Sequence, residues 1–336
     1  MTFRASLHSR VVQDLEGQQP DSSAADAMGR AVTSIYKPVQ SQMADLELKL
    51  DRVIEDAPPD LAAMLAHALK GGGKRLRPAL VLLAGSAYPG KREPLVSMAL
   101  GYELLHTATL VHDDTIDDAL TRRGRLTVNR LWSNSNAVLL GDYLCGCSAL
   151  MTAESGSLRA MEIFSRALAD VCCGAIAEHV AGSNGSREEY FATISRKTAS
   201  LFSAATESGA VLSKAPNKAI RSIKEYGQNL GMAFQTVDDI HDFESDMSRG
   251  AITLPAILLL ERPENRWVTD VLDKDPSTGL DILIEMVEDS RVLEDCHRIA
   301  EGFCSRACDA LEGLPDGPVR ESLGNLVRYV VSAKPA

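Results

Sequence analysis

The chain has 336 residues, 45% of them hydrophobic, and a formal net charge of −11 at pH 7. The hydrophobic share is enough for a sizeable core, which excludes wholesale disorder. The acidic balance, with no basic arm and no interleaved aromatic–basic pattern, excludes a general nucleic-acid binder.

The N-terminal MTFRASLHSR lacks an apolar h-region, so no secretory signal is expected, and no apolar run of about 18 residues predicts a transmembrane segment. Residues 1–35 are polar, with a QQPDSS cluster, and read as a loose arm or marginal helix, leaving 36–336 as one domain. From Pro38 onward Val39, Met43, Leu46, Leu50, Val53 and Ile54 recur at helical spacing until Asp56-Ala-Pro-Pro stops the helix. A second helix starts near Leu61. Beyond GGGKRLRP (71–78), helical texture runs through 79–88, 94–119, 134–152, 157–182, 187–212, 216–243, 252–261, 277–288, 290–313 and 318–333. SNGS (183–186), APN (215–217), DPSTG (275–279) and LPDGP (314–318) punctuate it as turns. With no strand pattern and no 20–50-residue repeat, the fold class is all-α, a bundle of ten or more helices. The seven cysteines, from Cys145 to Cys308, fit reduced thiols of a cytoplasmic protein.

Two of these helices carry the same unusual pattern. Asp113-Asp114-Thr-Ile-Asp117 is echoed by Asp238-Asp239-Ile-His-Asp242. Carboxylates at i and i+4 share a helix face and repel by roughly 0.2–0.5 kcal/mol per pair. One copy would be an ordinary solvated face, whereas two call for a cation. Mg²⁺ is the physical match: it is hard, octahedral, and held by one or two carboxylates together with phosphate oxygens and water. Two facing clusters would hold more than one Mg²⁺ around a diphosphate. Basic residues suited to such an anion stand in short groups: Lys74, Arg75 and Arg77 in GGGKRLRP, Arg122 and Arg123 before Gly124, and Lys197-Thr198 in RKTASLF.

GGGKRLRP, ELLHTATLVHDDTIDDALTRRG, RKTASLF, FQTVDDIHDF and TLPA occur in that order between about residues 60 and 260. With these motifs the chain resembles the trans-isoprenyl diphosphate synthases, the polyprenyl synthetase family. The resemblance implies an isoprenoid synthase fold, antiparallel helices around a deep central cavity, and a homodimer. It implies a Mg²⁺-dependent condensation of isopentenyl diphosphate with an allylic diphosphate, with three Mg²⁺ held by Asp113, Asp114, Asp117, Asp238, Asp239 and Asp242. By the same resemblance Arg122 contacts the allylic diphosphate, and Lys74, Arg77, His106 and Arg123 bind isopentenyl diphosphate. Lys197, Thr198 and Gln235 stand beside the leaving diphosphate.

Thr109 and Ala108, one turn before Asp113, are modest in size where short-product members place large aromatics, so a geranylgeranyl or longer product is expected. The chain departs from the family pattern at DFESDMSRGAITLP, where the loop after the second motif is shortened, its Gly-Lys is absent, and Ala251 stands in place of a lysine. Arg249 is a candidate substitute. In CCGAIAE (172–178) the usual glutamates are missing, Glu178 takes the place of a glutamine, and Gly174 is retained. These losses keep three alternatives open: a weakly active or non-catalytic subunit of a hetero-oligomeric synthase, a short-chain (farnesyl) synthase, and related ionisation chemistry such as cyclisation. His112, next to Asp113, reads as a packing residue.

Overall fold

A computed structural model describes residues 33–181 and 186–332. Residues 1–32, and with them most of the expected arm, lie outside the described residues, as do 182–185 and 333–336. Sixteen α-helices form among the described residues.

Pro38 opens a short 3₁₀ turn ahead of α1 (Gln40–Glu55), whose Leu46, Leu50 and Ile54 are buried on one face. Pro58-Pro59 breaks the chain into α2 (Pro59–Leu69), with Pro59 at the first helical position where no amide hydrogen is needed. α3 (Leu76–Ser86) starts earlier than its pattern predicts, because Pro78 sits within the first turn and costs no hydrogen bond. It is buried from Pro78 to Gly85, as a helix apolar all round must be. α4 (Arg92–Ile116) runs through the core, with every residue from Leu95 to Leu105 buried.

A two-residue hairpin follows, β1 (Thr121–Arg122) paired antiparallel with β2 (Arg125–Leu126), where the sequence predicts no strand. Then come α5 (Val128–Leu131), α6 (Asn134–Glu154), α7 (Leu158–Ala181) and α8 (Arg187–Ile194). A π-turn at Ser195–Ala199 interrupts the continuous helix expected over 187–212 and leads into α9 (Ser200–Leu212). α10 (Asn217–His241), α11 (Phe243–Ser248), α12 (Leu254–Leu260), α13 (Arg266–Lys274), α14 (Pro276–Glu288), α15 (Val292–Ala310) and α16 (Pro318–Ser332) complete the chain. α13 is unforeseen. Only Val268 and Leu272 of its residues are buried, a stripe too narrow to stand out in a charged segment.

α4 packs along α6, α10 along α15, and α9 against both α3 and α10. The main apolar core joins α1–α4, α6, α7, α9 and the first half of α10 with the ends of α15 and α16. A second cluster gathers Ile240 at the end of α10 with Phe243, Met247, Leu254, Val268, Leu283 and Cys296. The two clusters thus grip α10 along its length, each buried Leu or Ile contributing about 1.5–3 kcal/mol.

Candidate active site

Both aspartate motifs sit at helix C-termini. Asp113 and Asp114 lie in the last turn of α4 with Asp117 as its C-cap; Asp238 and Asp239 lie in the last turn of α10 with Asp242 as its C-cap. A helix C-terminus carries about half a negative charge, so each motif adds carboxylates where the backbone already repels them. Burial and mutual repulsion then push the acids up. Asp113 is raised by burial and by Asp117, against the pull of Lys197. Asp238 is pushed to about 6 by burial, Asp242 and Asp246. Asp246, one turn beyond Asp242 on α11, is raised by burial and by Asp242 and Glu178. The i+4 spacing from Asp242 was its only signal in the sequence.

The middle aspartates are engaged by protein donors. Arg122 Nε donates to both oxygens of Asp114, at 2.8 and 2.9 Å. Asp239 accepts from Tyr190 OH at 2.6 Å and from Gln235 Nε2 at 2.7 Å. Burial dominates its rise to about 7.

The hairpin explains how two adjacent arginines face different targets. Arg123 and Gly124 both take positive φ, 52° and 71°, as a two-residue type I′ turn requires. Arg122 therefore reaches back to Asp114, while Arg123 Nη1 donates to the Gly72 carbonyl in the GGGKRLRP loop. Arg123, Lys74 and Arg77 all act electrostatically on Asp238 or sense its charge. The loop is held by Tyr36 OH, which donates to the Lys74 carbonyl at 2.7 Å, and Lys74 Nζ lies 5.4 Å from the centre of the Tyr329 ring.

Arg75 departs from the cluster. It takes φ +49°, a conformation costing a non-glycine residue about 1–2 kcal/mol. Its guanidinium is anchored away to Glu47 at 2.9 Å, Glu103 at 2.6 Å and the Leu69 carbonyl at 2.9 Å. Arg77 stays inside, stacked 4.9 Å over Phe202, pushed down to about 10 by burial, with Nε buried and without a hydrogen-bond partner. An unpaired buried donor costs about 1–3 kcal/mol and is what an incoming anion would satisfy. His106 is held well below its usual value by burial and by Arg77, Arg123, Arg122 and Arg75, so it is neutral in this cationic setting.

The π-turn presents Lys197 and Thr198. Lys197 Nζ pairs with Glu178, and its pKa is raised because the attraction of Glu178, Asp113 and Asp117 outweighs burial. Thr198 Oγ1 donates to Gln235 Oε1 at 2.7 Å. Gly174 on α7 lets the π-turn come this close: a Cβ there would stand 2.5 Å from the Lys197 amide nitrogen. Arg249 Nη2 donates to Asp246 at 2.8 Å, which puts it at the edge of the second cluster. Ala108 is wholly buried in the core, whereas Thr109 is half-buried and bonded to the His106 carbonyl at 2.8 Å. His112 packs on α6, with Nε2 3.2 Å from the Val138 carbonyl.

Among the described residues no three His, Cys, Asp or Glu side chains converge to hold a metal unaided. Hard carboxylates raised by repulsion, beside cationic groups aimed at an anion, fit a divalent ion whose shell is completed by phosphate oxygens and water.

The family model for polyprenyl synthetases matches residues 58–282. The chain belongs to this family. Heptaprenyl diphosphate synthase component 2 of Geobacillus stearothermophilus is 32% identical over 88% of this chain and 97% of its own length. The structure of a decaprenyl diphosphate synthase from Rhodobacter capsulatus superposes with a TM-score of 0.83 at 32% identity, covering 91% of this chain and 100% of that one. A polyprenyl synthase from Caulobacter crescentus CB15, complexed with calcium and isoprenyl diphosphate, gives a TM-score of 0.83 at 28% identity over 90% of this chain and 98% of that one. This polyprenyl synthetase is therefore a prenyltransferase with the all-α fold of its relatives. Among its described residues no helix is long and apolar enough to cross a membrane.

Proposed function

We propose that this synthase is a Mg²⁺-dependent (E)-polyprenyl diphosphate synthase that joins isopentenyl diphosphate head-to-tail to an allylic diphosphate, giving geranylgeranyl or longer products. The observation that carries the proposal is the pair of aspartate-bearing helix ends with Lys74, Arg77 and Arg123 acting on Asp238 between them. Asp113 and Asp117 from α4, with Asp238 and Asp242 from α10, would hold three Mg²⁺; Asp114 and Asp239 brace them. The metal, when bound, supplies positive charge to the departing diphosphate. Arg122 and Lys197 orient the allylic diphosphate and share the charge that develops as its C–O bond ionises. Lys74, Arg77, Arg123 and neutral His106 hold isopentenyl diphosphate so that its C3=C4 bond meets the allylic cation. The new bond leaves a cation at C3; loss of a C2 proton, taken by the released diphosphate, restores a double bond. The apolar walls exclude water from the cation.

The relatives from G. stearothermophilus and R. capsulatus are named for heptaprenyl and decaprenyl products, which supports the longer-product reading. Thr109, with open space beside it, is the residue on which that reading rests, rather than the enclosed Ala108. Thr109→Phe is expected to shorten the main product by at least one isoprene unit, read by chromatography of the dephosphorylated alcohols. An unchanged ladder would move the product limit elsewhere.

Metal binding and pH are linked. The folded-state values of Asp238 and Asp239, about 6 and about 7, lie above the ordinary 3.8, so they destabilise the metal-free fold once ionised. Metal-free stability should fall as pH rises from about 5 to 7.5. Added Mg²⁺ should raise Tm at pH 7.5 and raise it less at pH 5.5, where protons occupy the same oxygens. An equal increment at both values would count against these carboxylates as the site.

A homodimer in the cytoplasm completes the proposal. Leu139, Tyr143 and Leu150, exposed by 65, 39 and 59%, form a stripe along α6 that a second copy would cover. Because the G. stearothermophilus relative is described as component 2, a partner-dependent form of the same reaction is the second reading. Incubating the purified protein with labelled isopentenyl diphosphate, each allylic primer in turn and Mg²⁺ tests both. A ladder beyond geranylgeranyl upholds the first; no product from folded protein with any primer sinks it and leaves the second. Sedimentation of the same preparation reads the dimer.

A further inference from the structure

Asp239 follows Asp238 on α10, so its side chain leaves the helix about 100° away from the face that Asp238 shares with Asp242. It is 5% exposed, and both of its oxygens are taken, one by Tyr190 OH from α8 and one by Gln235 Nε2. Because Asp239 takes the amide nitrogen of Gln235, the amide oxygen faces the other way and accepts from Thr198. Every donor is thereby assigned. Tyr190 and Gln235 point into Asp239, Thr198 points into Gln235, and the network leaves the second amide hydrogen of Gln235 uncommitted. Three elements are tied at one point: α8, the π-turn and the end of α10. A buried network with each member satisfied specifies a single arrangement.

We propose that Tyr190 is a positioning residue of the prenyl transfer: through Asp239 it fixes the amide of Gln235 and the π-turn that carries Lys197, so that both face the leaving diphosphate. Asp239 serves this frame rather than the metal. The proposal rests on the function proposed above, and no motif in the sequence pointed to Tyr190. The ring of Tyr190 packs edge-on against Phe191, 5.2 Å between centres, and borders the second apolar cluster, so removing only its hydroxyl keeps the packing.

The test compares wild type, Tyr190→Phe, Asp239→Asn and Asp238→Asn. Calorimetry measures binding of inorganic pyrophosphate at saturating Mg²⁺, and steady-state kinetics give allylic KM, kcat and the Mg²⁺ half-saturation. Tyr190→Phe is expected to weaken pyrophosphate binding and raise allylic KM by about tenfold, with Mg²⁺ half-saturation held within twofold. Asp238→Asn should instead raise the Mg²⁺ half-saturation by tenfold or more. Tyr190→Phe added to Asp239→Asn should cost little beyond Asp239→Asn alone, because both break one network. Should Tyr190→Phe fail to fold, Asp239→Asn carries the comparison. Unchanged pyrophosphate binding in Tyr190→Phe, or a shift in Mg²⁺ half-saturation by Asp239→Asn equal to that of Asp238→Asn, overturns the proposal. A wild type that binds no pyrophosphate and makes no product overturns the proposed function instead.

Discussion

Asp238→Asn is expected to lower kcat by about a thousandfold while leaving Tm unchanged or raising it. The two halves of this expectation have one cause. Asp238 is held at the negative end of α10, repelled by Asp242 and Asp246 and raised to about 6. Its ionised carboxylate is a burden on the metal-free fold, and an isosteric amide removes the burden. The same charge is what the proposed Mg²⁺ requires, and it faces Lys74 and Arg77 across the site. Loss of activity with retained or improved stability is the signature of a residue kept for its chemistry. If Tm and kcat fall together, Asp238 is holding the fold instead. The measurements are a thermal melt without metal and initial rates at saturating Mg²⁺.

Gly174→Ala is expected to reduce kcat/KM by about a hundredfold, a cost typical of displacing reacting groups by around 1 Å. The added Cβ would meet the Lys197 backbone at 2.5 Å from N and 2.9 Å from Cα. Backbone cannot rotate aside as a side-chain tip can, so α7 and the π-turn must separate. Lys197 then loses its place between Glu178 and Asp113, and Thr198 loses Gln235. Overpacking of this kind typically costs about 1–3 kcal/mol of stability, which a melt will show as a modest drop. Full activity in a folded Gly174→Ala protein would mean that the π-turn tolerates displacement, and that Lys197 is not held by this contact.

The sequence by itself determined the fold class and the two ends of the site. Helical spacing of apolar residues needs only local geometry to be read, and so did the repeated aspartates, whose i, i+4 repulsion marks a cation wherever the helices go. The family likeness placed the same residues in order. What the tertiary structure decided was which members of each motif are exposed to the site. Asp114 and Asp239 belong to the motifs by spacing, yet Arg122 occupies one and Tyr190 with Gln235 the other. Arg75 belongs to the basic cluster by adjacency, yet Glu47 and Glu103 draw it away. The π-turn had no local signature, because its shape depends on a glycine of another helix that admits its backbone. The hairpin that splits Arg122 from Arg123 is two residues deep, too short for alternation to reveal. Spacing along a chain gives the face on which a side chain starts; partners distant in sequence decide where a charged or polar group ends, because a buried donor or carboxylate left unpaired costs more than any local preference.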